Sequence, residues 1–154
     1  MHQILATQRA TVTDSTASAI SENARSVASG AVSSVSLTEQ CLSRISDPAG
    51  EGKRTFVKVW ADEARAVASA QDSLRKIGAV SSPIAGVPIS VKDMLDVAGE
   101  VTLAGTKALD DAAPAVRDAP VIRRLKSAGA VLTGRTNMEQ RCVLSEGNRP
   151  PGWS

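Results

Sequence analysis

Four stretches of the chain carry apolar residues at spacings of three and four, and the runs between them alternate or are uniformly apolar, which predicts helices interleaved with short strands. The first helix starts at Asp14 or Ser15, either of which can cap it, and runs to about Ser29, with Ala17, Ile20, Ala24 and Val27 on one face and Gly30 as its stop. The second begins at Ser36, with Glu39 three residues on completing a capping box; Cys41, Leu42 and Ile45 follow, and Asp47-Pro48 ends it. Ala49-Gly50-Glu51-Gly52-Lys53 reads as a polar, flexible loop.

Residues 55–60 alternate and are rich in β-branched and aromatic types, a strand with Phe56 and Trp60 on one face. The period then changes. Residues 61–77 are alanine-rich, with Ala64, Val67, Ala68, Leu74 and Ile77 forming a close-packed helical face that Gly78 ends. After the breaker Ser81-Ser82-Pro83, residues 87–91 form a strand whose Pro88 marks an irregular edge. Residues 99–118 read as loop. Asp118 caps a last helix with Pro120 in its first turn, Val121, Ile122, Leu125 and Ala128 along it and Gly129 at its end; residues 130–134 are a short buried strand. Strand, helix and strand in that order give an α/β class in layers. From Gln140 onward no period persists, so the chain divides into an organised part, residues 1–138, and a divergent, disordered tail, 139–154.

Composition narrows the choice of function. With 42% hydrophobic and 22% charged residues, a 154-residue chain can build one core. The net charge of +2 is spread along the chain and aromatic content is 2%, which leaves neither a basic footprint nor stacking rings for nucleic acid, and no basic patch for a membrane surface. Cys41 and Cys142 have no Cys-x-x-Cys spacing and read as two reduced thiols. The N-terminus lacks the basic and apolar regions of a signal peptide, and no stretch nears the roughly 20 apolar residues of a membrane span. A cytoplasmic protein is expected.

The sharpest chemical signal is Lys92, at the end of an apolar strand pattern. On an extended strand Ser90 and Lys92 share one face while Val91 and Asp93 share the other. A lysine kept from water can turn neutral and take a proton from a serine. On spacing alone, a solvated lysine at a strand end is the favoured reading, because lysines are rarely buried. The remaining constellations are weaker. His2 is the sole histidine, which disfavours a Ser-His-Asp triad or a histidine metal site. Gly105-Thr106-Lys107 lacks the spacing of a phosphate loop, and Gly50-Glu51-Gly52 lacks the third glycine of a dinucleotide fingerprint. Asp110-Asp111 reads as solvated loop, and Arg123, Arg124 and Lys126 as the solvated face of a helix. No cofactor and no metal are expected.

Residues 85–93 (AGVPISVKD), 96–99 (DVAG), 102–106 (TLAGT), 118–125 (DAPVIRRL) and 129–138 (GAVLTGRTNM) resemble, in order, the N-terminal part of the amidase signature family. The resemblance implies an α/β/α fold around a large mixed sheet, here incomplete, and hydrolysis of carboxamides by a Ser, cis-Ser, Lys triad. Lys92 matches the catalytic lysine, which in its neutral form acts through the cis-serine on the nucleophilic serine while backbone amides hold the oxyanion. Ser90 corresponds to neither serine.

The family's glycine- and serine-rich stretch, carrying both serines, would follow residues 136–138, and this chain has none there; Glu139-Gln140-Arg141-Cys142-Val143-Leu144 stands in place of a Glu-Phe-Ala-Phe-like segment. Cys-Val-Leu written TGC-GTT-CTC and read one base later gives Ala-Phe-Ser, so a frameshift near Met138 is a hypothesis that the codons decide. A shifted frame without Ala-Phe-Ser and an amidase-like continuation rules it out. The expectation is therefore an N-terminal amidase fragment that keeps the base, lacks the nucleophile and is inactive alone, with a small-molecule amide as the substrate of the complete enzyme. A general amidase is favoured over the amidase component that generates ammonia for charged tRNA. Two alternatives stand beside it: a non-catalytic binding module, and one half of a split amidase completed by docking of a separately made C-terminal half.

Overall fold

Ser33, extended at φ −77° and ψ 151°, takes the amide of Ser36 on its side chain and so starts helix α2, Ser34–Ser46. The protein is described by a computed structural model over residues 15–138, with side chains from Ile20 onward. Helix α1, Ser15–Ala28, precedes α2. The start of α2 lies two residues before the expected Ser36, and Glu39 forms no capping box: it reaches across to Arg65, whose Nε lies 2.6 Å from Oε1. A carboxylate from a distant helix serves the remaining first-turn amides instead. Asp72 accepts from Ser34 N at 2.8 Å and Val35 N at 3.1 Å, placing negative charge at the positive end of α2.

The buried Ser34 hydroxyl donates to the Gly86 carbonyl at 2.6 Å. Gly86 has φ +83°, and a Cβ built there would stand 2.9 Å from Ser34 Cβ and Oγ. Gly86→Ala therefore combines left-handed strain with overpacking. The expected loss is about 2–4 kcal/mol, read as a lower urea midpoint at unchanged slope.

The expected loop at 49–53 is partly helical. Helix α3, Gly52–Thr55, is a single turn pressed on α2 so closely that a Cβ on Gly52 would fall 1.8 Å from the Ile45 carbonyl oxygen. Strand β1, Phe56–Val59, follows with a register shift between Phe56 and Lys58 against its neighbour. Phe56 and Trp60 consequently face different places. Phe56 lines a cleft against α2, and Trp60 packs with Val91, Val97 and Ile122.

Helix α4, Ala61–Lys76, has Asp62 and Glu63 in its first turn and Arg75 and Lys76 in its last, each sign matching the helix dipole. Its buried stripe is narrower than the alanine pattern suggests: Ala64, Ala68 and Gln71 are buried, whereas Val67, Leu74 and Ile77 are exposed, Ile77 at 76%. Alanines bring α4 close to the sheet, and the larger apolar residues at neighbouring positions fall outside that contact.

The three described strands lie in the order β1-β3-β2. Strand β3, Val131–Thr136, is central, antiparallel to β1 and parallel to β2, Pro88–Lys92. Pro88 opens β2 with Val131 as its partner, and β2 is an edge strand among the described residues, as the proline demands. Val131 packs on Ala64 and Ala68 of α4, while the adjacent Leu132 packs with Trp60, Val91 and Ile122. Neighbouring strand residues face opposite ways. Helices thus cover both faces, α4 with α2 on one and helix α5, Pro120–Ser127, on the other.

Ala119 caps α5, with Pro120 at its first position. Asp118, expected as the cap, instead accepts from Ala98 N at 2.8 Å and from Lys126 Nζ at 2.8 Å. Burial raises its pKa, but the Lys126 ammonium and the Ala98 amide outweigh this and hold it below the ordinary carboxylate value. A depressed folded-state pKa adds stability that is present above the unfolded value and lost as pH falls through the folded one. Melting temperature is therefore expected to drop below about pH 4, and Asp118→Asn to flatten part of that drop. Residues 99–118 hold only a 3-10 turn, Lys107–Leu109, as expected of a loop, yet they are fastened by Gly99 N to Ala115 O at 2.9 Å and Ala115 N to Glu100 O at 2.9 Å.

Candidate active site

Lys92 is the last residue of β2, and the alternation predicted from spacing is realised: Val91 and Asp93 are buried while Ser90 and Lys92 are exposed. Ser90 and Lys92 do share a face, but Lys92 is not buried on it; its side chain is exposed. Its backbone is fixed. Lys92 pairs with Thr136 across the sheet, and its carbonyl accepts the amides of Met94 at 2.7 Å and Leu95 at 3.2 Å, turning the chain sharply after the strand.

The buried charge at this strand end belongs to the next residue. Asp93 is 1% exposed and Arg135, on β3, is 2% exposed; Arg135 Nη1 donates to Asp93 Oδ1 at 2.7 Å. The same nitrogen reaches Val101 O and Thr102 Oγ1, each at 3.1 Å, and Asp93 Oδ1 also accepts from Leu103 N at 3.3 Å. Thr102 in turn donates to Asp96 Oδ1 at 2.9 Å. Sequence reading did not single out this pair, although a signal existed: the alternation that aligns Ser90 with Lys92 also aligns Asp93 with the apolar Val91.

Beyond Thr102 the chain makes a tight turn in which Ala104 has φ +51° and Gly105 φ +72°, closed by Thr106 N to Leu103 O at 2.9 Å. Two successive positive φ values are unusual for a turn that includes an alanine. Gly105 sits against the end of β3, where a Cβ would fall 2.6 Å from the Met138 carbonyl oxygen.

Clefts among the described residues lie elsewhere, and two of them are the larger. One of about 550 Å³ is bounded by α2, α3 and β1 around Leu42, Ile45 and Phe56, and one of about 400 Å³ is lined by Trp60, Val67, Val97, Glu100, Lys126 and Leu132. Lys92 and Ser90 line neither. At the second cleft, burial raises the Glu100 pKa, and hydrogen bonds from Lys58 at 2.7 Å and Trp60 Nε1 at 3.2 Å overcome it, so its pKa lies below the ordinary carboxylate value.

The lesser sequence candidates settle as structure. Thr106 accepts the Ala108 amide on its side chain, Asp110 and Asp111 are exposed, Arg123 and Arg124 are exposed, and Lys126 pairs with Asp118. Cys41 carries a free, half-buried thiol whose pKa burial pushes up. Among the described residues no three His, Cys, Asp or Glu side chains gather to hold a metal, and no helix is long and apolar enough to cross a membrane. His2, Asp14, Cys142 and the tail 139–154 lie outside the described residues.

The protein-family model of the amidases matches residues 36–152, a span that contains Lys92, the Asp93–Arg135 pair and all three strands. The chain belongs to the amidase family. Among curated amidase relatives, it is 40% identical over 129 residues to a glutamyl-tRNA(Gln) amidotransferase component from Salinispora tropica, covering 84% of this chain and 26% of that one. It is 41% identical over 115 residues to AtzE, a component of the 1-carboxybiuret hydrolase of Pseudomonas sp. strain ADP, covering 74% and 25%. The peptide amidase of Stenotrophomonas maltophilia superposes with a TM-score of 0.66 at 32% identity, over 77% of this chain and 24% of that one. The chain thus spans about a quarter of the length of the curated amidases it matches.

Proposed function

We propose that Lys92 is the base of a carboxamide hydrolase whose two serines lie on polypeptide outside residues 15–138 that packs beside it. Residues 15–138 form the base-bearing part. A primary amide and water would give a carboxylic acid and ammonia, the neutral lysine drawing a proton through one serine from the other, which attacks the carbonyl carbon. The observation that carries this reading is the place of Lys92: it ends β2 with its carbonyl holding the Met94 and Leu95 amides and its side chain exposed at the strand end. A lysine serves as base only once water is kept from its amine, and at this exposed strand end the polypeptide bearing the serines would supply that covering. We infer inactivity of the chain alone, a small-molecule amide as substrate and a cytoplasmic setting.

A serine-reactive fluorophosphonate probe tests the division of labour. Mixed with the product of the downstream reading frame, residues 1–154 are expected to remain unlabelled while the added polypeptide is labelled. Labelling of Ser90 would replace the proposal with a Ser-Lys pair inside this chain. A non-catalytic binding module is the second reading, favoured by the exposed Val57 and Val59 on β1, 47% and 39% exposed; a monomer that never labels or hydrolyses in any mixture supports it.

A further inference from the structure

We propose that Arg135 and Asp93 are positioning residues: their ion pair ties the strand end that presents Lys92 to the Thr102–Gly105 turn, and that turn seats the chain leaving β3 at Met138. The inference rests on the reading of Lys92 as the base and extends it to how the base is held relative to the polypeptide that follows.

The geometry gives three linked fastenings. Asp93, next to Lys92, receives Arg135 Nη1 at 2.7 Å and Leu103 N at 3.3 Å. Arg135 also holds Val101 O and Thr102 Oγ1, so residues 101–103 cannot shift without breaking bonds to both β2's end and β3. Next along the chain, the positive-φ turn at Ala104 and Gly105 lies against the Met138 carbonyl so closely that it excludes even a methyl group. Lys92 and Met138 are thereby fixed through one short loop.

A stability role explains this pair poorly. Arg135 Nε and Nη2 are buried and have no hydrogen-bond partner among the described residues. Unpartnered buried donors cost free energy, and apolar side chains of similar volume commonly replace buried ion pairs without loss. The strained Ala104 adds a further cost. Costs gathered at one strand end, beside Lys92, fit a device that fixes geometry.

The test separates holding from stabilising. In the 154-residue chain, the double variant Asp93→Leu/Arg135→Met keeps an apolar filling but removes the first two fastenings, those made by the two side chains. Hydrogen exchange at the amides of Met94, Leu95 and Leu103 is expected to accelerate about 10- to 100-fold, with exchange at Ala64, Ala68 and Val131 unchanged. Equal exchange at all six amides in variant and parent, or acceleration shared by all six, overturns the inference. Should the double variant not fold, Thr102→Val decides, since it removes the acceptor for Arg135 and the donor to Asp96; the same local acceleration is expected, and none overturns the inference. In the completed enzyme the double variant is expected to lower kcat at least about 10-fold at unchanged KM. An inactive parent mixture would count against the reading of Lys92 as base, while the exchange measurements still decide whether the clamp exists.

Discussion

Lys92→Ala is expected to lower kcat of the completed amidase by at least about 10³-fold, with the fold of this chain untouched. The size follows from the role: when a base is removed from a set of residues that act as a unit, catalysis collapses nearly to the level left by binding alone. The harmlessness to the fold follows from the structure, because Lys92 is exposed at a strand end and its hydrogen bonds there run through the backbone, which alanine keeps. Stability should stay within about 0.5 kcal/mol. Parallel urea titration and ammonia-release assays of parent and variant check both halves. A large stability loss with proportionate loss of activity would make Lys92 structural.

Asp93→Ala is expected to do the reverse and destabilise the 154-residue chain by about 3–5 kcal/mol, since it strands the buried Arg135 guanidinium without its counter-charge. Against a total of about 5–15 kcal/mol for a domain, that loss brings the chain near unfolding at room temperature. Arg135→Met, which instead strands the Asp93 carboxylate, should cost a similar amount, and the paired apolar variant should recover most of either loss. Chemical denaturation of the three variants reads this directly. Equal stability of parent and Asp93→Ala would mean that water reaches Arg135 and that the pair is not buried in solution.

Apart from the single turn α3, the order of helices and strands, the α/β class and the pairing of Ser90 with Lys92 on one face are legible in the sequence, because each depends on local period. What was not legible depends on partners far along the chain. Glu39 and Asp118 sit where caps belong, yet Arg65 and Lys126 draw them away. The amides of α2 are served by Asp72 from 38 residues on, a contact without local pattern. Val67, Leu74 and Ile77 read as core, but alanine packing lets α4 meet the sheet along a narrower stripe. Lys92 reads as a charge within an apolar strand, and the buried charge proves to be its neighbour: Asp93 is satisfied by Arg135, 42 residues away. Spacing could place Asp93 on the inner face and could not supply its partner.

The membership of the chain in the amidases and its span of about a quarter of the curated relatives leave one question at the centre: whether residues 1–154 supply the base to an amidase whose serines lie on further polypeptide. Ammonia release from a primary carboxamide, measured for residues 1–154, for the product of the downstream reading frame, and for the two mixed, tests it most directly. No release is expected from either alone, and sustained release from the mixture. Release by residues 1–154 alone, or none on mixing folded components, would contradict a divided enzyme with its base at Lys92.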